Sequence, residues 1–316
     1  MTPYAAGVMM LMVLTAITCA LPGAFLVTSR QSMLVDAMSH AAFPGIVLAA
    51  LIWPIGSPYL IIGAALLALL VVIASEAVEH TGLVSRDAAQ GLLFPGLFSV
   101  GVVLLSTKFA HLHLHEDAVL VGDPNIVAVT HLTIFGVDVG PSYAYVMLGV
   151  LALNALFLVL THRQLSVVVF DADYARTIGL PVRGLRMAAM VLVAITLTAS
   201  FYAAGAVLVI AFVVVPAATA SLFARSFPGV IWGSVGIAAV ITVPVFLATY
   251  YTARPTSSWT AWAFGAVFVL AAVVRHLGRV LHHARLRSGV EADSQGEAEA
   301  EVASAPEARV RAEKVV

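Results

Sequence analysis

Two side chains in this sequence have the types and the spacing to hold an ion. Asp36 and His40 lie four residues apart in the run Asp36-Ala37-Met38-Ser39-His40-Ala41-Ala42-Phe43-Pro44-Gly45. On a helix that spacing puts both on one face, one turn apart. A carboxylate supplies charge and a neutral imidazole a borderline-soft nitrogen, a donor pair better suited to zinc or manganese than to calcium. The run sits in an apolar stretch long enough to cross a membrane, where an Asp costs about 2.5–3.5 kcal/mol on insertion scales. An ionisable group kept at that cost reads as functional by default. The plainer alternative, in which Asp36 bonds Arg30 or a serine and His40 is packing, accounts less well for two such residues at matched spacing. Pro44 removes a backbone donor just beyond His40 and, with Gly45, permits a kink or break there.

Other clusters are weaker. In His111-Leu112-His113-Leu114-His115-Glu116-Asp117 an extended chain would place three imidazoles on one face. They could capture zinc or a similar ion, and a polar loop with freely titrating histidines explains them equally well. Glu76, Glu79 and His80 close an apolar run and could relay a metal, although a solvated helix end is the simpler reading. His276, His282 and His283 lie among arginines and fit lipid headgroups better than a metal. His115-Glu116 does not start a zinc-protease motif, because Val119 stands where the second histidine is required. Without a clustered ligand set and a general base, an intramembrane metal enzyme is not supported. The two lysines, Lys108 and Lys314, do not follow glycines, so a Gly-Lys-Ser/Thr phosphate loop is absent and any ATP must be bound by another chain. The single cysteine, Cys19, excludes a disulfide within the chain and a cysteine-based zinc cluster, leaving a packed thiol.

The elements that must position Asp36 and His40 are membrane spans. The chain is 61% hydrophobic and 10% charged, with a mean hydropathy of +1.01, against about 25% charge in a soluble domain. A span needs ~20 apolar residues, and roughly nine segments qualify. They cover 4–28, 32–53, 59–77, 88–107, 143–162, 185–203, 206–224, 229–251 and 258–276. The first is too long for a signal-peptide core and has no basic start, so it is expected to be retained as a span. An outward N-terminus would put Arg30, Arg86, Arg163, Arg176, Arg183, Arg186 and Arg225 on the cytoplasmic side, with the arginines of 275–287. Only Lys108 and Arg254 would remain outside, which satisfies the positive-inside rule. Counting ~1.5 Å per residue from Arg30, Asp36 lies ~9 Å and His40 ~15 Å along the helix, near the middle of a ~30 Å core.

Three further segments carry local signals. Asp87 is placed to cap the fourth span. The largest internal loop, 162–184, contains a short helix that Asp171 starts, Gly179 stops and Pro181 prevents from continuing. With Asp173, Tyr174, Ala175 and Ile178 that helix offers a compact surface for a partner protein, or else a connector along the membrane. The sixth and seventh spans should form a tight hairpin at Ala203-Ala204-Gly205, with Pro216 permitting a kink in the seventh. The expected organisation is an all-α transmembrane domain over 1–287 and a disordered acidic tail over 288–316.

Taken together, several runs resemble the membrane permeases of ABC importers for zinc, manganese, iron and related metals. The Asp36–Gly45 run looks like that family's Asp-Ala-x-Ser-His-x-x-x-Pro-Gly signature. Asp87-Ala88-Ala89-Gln90-Gly91, Phe170–Gly179 and Gly205–Ala220 are similar to further family segments, in the expected order over about 5–280. The resemblance implies a homodimer in a bacterial plasma membrane and cytoplasmic ATPase subunits holding the ATP. It also implies an extracytoplasmic protein that delivers the metal, and no enzyme activity, permanent cofactor or nucleic-acid partner in this chain. Asp36 and His40 become implied metal-contacting residues and Asp171–Gly179 the implied coupling helix. The histidines at 111, 113 and 115 and the long tail depart from the pattern. A proton-coupled secondary transporter using Asp36 and His40 is the alternative.

Overall fold

Long apolar helices account for nearly all of the structure, as they must where the bilayer offers no hydrogen bonds to the backbone. A computed structural model describes residues 2–54, 59–84, 86–108, 123–134 and 137–280. In chain order the helices before the external segment are α1 (Pro3–Thr28), α2 (Met33–Ala50), α3 (Leu60–His80) and α4 (Arg86–Lys108). A short α5 (Pro124–Val127) and an antiparallel hairpin, β1 (His131–Ile134) with β2 (Val137–Pro141), follow. Then come α6 (Ser142–Phe170), α7 (Ala172–Thr177), α8 (Val182–Ala204), α9 (Ala206–Phe223) and α10 (Phe227–Thr252). The last described helix is α11 (Thr256–Val280). Among the described residues 9 helices are long and apolar enough to span a membrane, matching the nine expected segments.

The chain divides into a unit over Met1–Phe268 and a second over Val269–Val316, of which only Val269–Val280 is described. The first unit is built around α1, which packs on α6, α8, α9 and α10. Gly23 is the closest point: a Cβ there would overlap the Val213 carbonyl on α9, so only hydrogen fits between the two backbones. Polar side chains in this core satisfy themselves locally. Thr15 and Thr18 donate to the carbonyls of Leu11 and Leu14, at 2.8 and 2.6 Å. Asn154 of α6 donates to Thr196 Oγ1 of α8 at 2.7 Å, and the Cys19 thiol lies 3.1 Å from Ser200 Oγ. Cys19 is fully buried, in keeping with a packed thiol.

Helix ends follow from local chemistry. Thr2 accepts from the Ala5 amide and Pro3 opens α1, where a missing donor costs nothing. Gly205, at φ 80°, is the one-residue break between α8 and α9, the tight hairpin expected there. Asp87 differs from expectation, since α4 begins at Arg86 and puts it inside the first turn. The internal loop is also shorter than expected, because α6 continues past His162 and Arg163 to Phe170. Leu165 and Val168 explain the extension, as both are buried in the core around α1. Pro44 does not break its helix, and α2 runs through it to Ala50.

Candidate metal-translocation site

Asp36 and His40 share one face of α2, with His40 Nε2 3.5 Å from Asp36 Oδ1. That separation is long for an N–H···O hydrogen bond. It is close to the roughly 3.4 Å between two ligands that hold one ion at about 2.0–2.2 Å with tetrahedral geometry. Neither side chain is sealed, the imidazole being 40% and the carboxylate 43% exposed. The pair is therefore open on one side, at a separation that one ion could bridge.

The remainder of α2 explains why that face stays open. Ala37 and Ala41, each one residue on, are buried with Val71 of α3 against Phe94 and Leu97 of α4. Small residues bring the neighbouring backbones close: a Cβ at Gly45 would meet the Gly63 carbonyl of α3 at 2.6 Å. On the other flank a Cβ at Gly101 of α4 would meet Pro44 Cβ at 2.7 Å. Pro44 thus contributes a packing surface for α4 rather than the kink that its chemistry permits. Helix α4 also supplies two rings to the imidazole. Phe94 stacks on His40 with centroids 5.2 Å apart and planes 19° from parallel. Phe98 meets His40 edge-on at 5.8 Å. These contacts limit the ring's rotation and keep water from one of its faces. The run Phe94-Pro95-Gly96-Leu97-Phe98 carries a four-residue aromatic spacing that could have been read beside the same spacing of Asp36 and His40.

The other sequence candidates fall apart from this pair. His111, His113 and His115 lie outside the described residues, as do His282, His283 and the tail over 288–316. Among the described residues no group of three or more His, Cys, Asp or Glu side chains is arranged to hold a metal ion. The short helix between α6 and α8 is present as α7, and Asp171 caps it by accepting from the Tyr174 amide at 2.8 Å. Gly179 closes it at φ 81°. Ala175 is buried, whereas Phe170, Tyr174 and Ile178 are exposed beside the Asp173–Arg176 ion pair of 2.7 Å. That exposed surface mixes apolar and charged groups.

The chain has relatives among known membrane proteins. The chain is 37% identical over 211 residues to the manganese transport system membrane protein MntD of Bacillus subtilis, covering 66% of this chain and 71% of MntD. It is 35% identical over 213 residues to the zinc transport system membrane protein TroD of Treponema pallidum, covering 66% of this chain and 57% of TroD. Its fold is similar to PsaBC from Streptococcus pneumoniae, solved in complex with Fab, with a TM-score of 0.67 and 22% identity over 85% of this chain and 90% of that one. The ABC 3 transport family matches residues 1–275, the whole apolar part of the sequence. With that match, and with 9 helices among the described residues long and apolar enough to span a membrane, this chain belongs to the ABC 3 transport family, as a polytopic membrane permease subunit.

Proposed function

We propose that this permease carries manganese or zinc ions into a bacterial cell, with Asp36 and His40 as the ligands that the ion meets in mid-membrane. The observation that carries this reading is the open, 3.5 Å Asp–His pair on a spanning helix. A carboxylate and an imidazole in one chain provide two of the four or more donors that these metals take. A second copy presenting the same open face would complete the set. Incomplete coordination in each protomer suits transport, since an ion held too tightly does not leave. His40 acts as a neutral nitrogen donor, Asp36 brings the charge, and Phe94 and Phe98 hold the ring in place.

Energy enters from outside the chain. Its sequence has no phosphate-binding loop, so cytoplasmic ATPase subunits would bind ATP and dock on α7 through Tyr174, Ile178 and the Asp173–Arg176 pair. The N-terminus lies outside and the C-terminus in the cytoplasm, because this orientation gathers the arginines inside. An extracytoplasmic metal-binding protein would then deliver ions at the face bearing the hairpin. The test is uptake of radiolabelled manganese and zinc in cells with and without the cognate ATPase, for wild type, Asp36→Ala and His40→Ala. Uptake that requires the ATPase and collapses in both variants is expected. Uptake indifferent to the ATPase would sink the proposal in favour of a proton-coupled secondary transporter.

A further inference from the structure

One turn along α4 from Phe94, on the same face, Gln90 is 2% exposed and its Oε1 has no hydrogen-bond partner. A buried carbonyl oxygen left unpaired has lost its hydration without a replacement, so its presence calls for a reason. It borders a small cleft of about 20 Å³ that Gln31, Ser75, Glu76, Gln90 and Arg186 line together with apolar residues. Gln31 and Ser75 are buried as well. Ser75 Oγ donates to the Val72 carbonyl at 2.9 Å, which leaves its lone pairs available. The cleft therefore gathers an amide oxygen, a hydroxyl and a carboxylate between the ends of α2, α3, α4 and α8. These are the helix ends that carry Arg30 and Arg86.

We propose that this cleft is a second cation site, in which a partly hydrated divalent ion pauses on oxygen ligands after leaving Asp36 and His40. The inference rests on the transport reading above and adds a station to it. Oxygen donors alone bind manganese adequately and zinc poorly compared with a site containing imidazole. The step from the pair to the cleft thus runs from tighter to looser binding. The space of about 20 Å³ admits an ion with about one water, so most of its ligands come from the wall. Arg186 also lines the cleft, so Glu76 is not the only charged group in its wall. Glu76, readable in the sequence as a solvated helix end, becomes the anionic ligand of the exit station.

The experiment is manganese binding followed by electron paramagnetic resonance on the full chain in lipid nanodiscs. Ligation by His40 shows as nitrogen coupling, whereas the cleft gives an oxygen-only spectrum. His40→Ala is expected to retain a weak oxygen-only site. Glu76→Gln should weaken that site roughly tenfold or more, since ligand charge count sets affinity. Gln90→Leu should weaken it by about threefold or more while leaving thermal stability unchanged or higher, because it removes an unpaired acceptor. A His40→Ala chain with no oxygen-only manganese, or with a signal indifferent to both substitutions, overturns the cleft. An oxygen-only site sensitive to both substitutions, in a wild type without nitrogen coupling, upholds the cleft and removes the Asp36–His40 reading instead.

Discussion

The two sides of this permease are packed on different principles. Around α1 burial is dense: 72% of its most apolar stretch is covered, by helices on every side. In α4 the corresponding share is 17%. Close backbone approaches join α2 to α3 at Gly45 and Gly63 and to α4 at Gly101, and rings of α4 meet His40. The proposed ion ligands stand on α2, itself well covered, on a face it shares with the sparsely covered α4. A site that must accept and release an ion cannot be sealed in a close-packed interior, whereas helices held by small-residue contacts can shift by small amounts. On the proposed reading α1 belongs to the frame, and α2 with α4 to the passage.

Substitutions can break this contrast at graded cost. The largest effect is expected at Gly23→Val, where the new side chain meets the backbone of α9. A loss of about 3 kcal/mol or more should appear in denaturant unfolding of the detergent-solubilised protein. A smaller loss than that expected at Gly101 would show that α1 is not the frame. Next, Asp36→Ala and His40→Ala should each lower metal uptake by roughly a hundredfold, near 2.7 kcal/mol, while stability moves by less than about 0.5 kcal/mol. Equal damage to folding and uptake would refute the separation of passage from frame.

A third variant sharpens the comparison within α4. Gly101→Ala places a methyl against Pro44 and Phe43 and should cost about 1–2 kcal/mol. It should also reduce uptake, by pushing Phe94 and Phe98 away from His40. Gly96→Ala, with nothing within 4 Å of the new methyl, should leave both readouts unchanged or raise stability slightly, by up to about 1 kcal/mol. The smallest effect belongs to Asp171→Ala, which removes the cap of α7 at about 1 kcal/mol. Its expected signature is weaker metal-stimulated ATP hydrolysis in the assembled transporter, with the unfolding midpoint in place because the loss is local to this short surface helix. A changed midpoint with normal stimulation would show α7 to be structural only.

Much of this was legible in the chain itself. Length and apolarity located all nine spanning helices, because a backbone in lipid must bond to itself and has few other choices. The four-residue spacing of Asp36 and His40 put them on one face, Asp171 and Gly179 bounded α7, and Gly205 marked the α8–α9 break. Those features depend on neighbours in sequence, and local chemistry decides them. Direction depends on something else. In a soluble helix the polar face shows which side meets water, but these helices are apolar all round, since lipid and protein interior look alike to them. Only the tertiary structure decided that the Asp36–His40 face stays open while Ala37 and Ala41 turn inward. It alone set Phe94 and Phe98 on the imidazole, drew α6 on to Phe170 through buried Leu165 and Val168, and left Gln90 facing a cleft without a partner. Each of these is fixed by close packing between residues far apart in the chain, and helical periodicity carries no information about which neighbour a given face will meet.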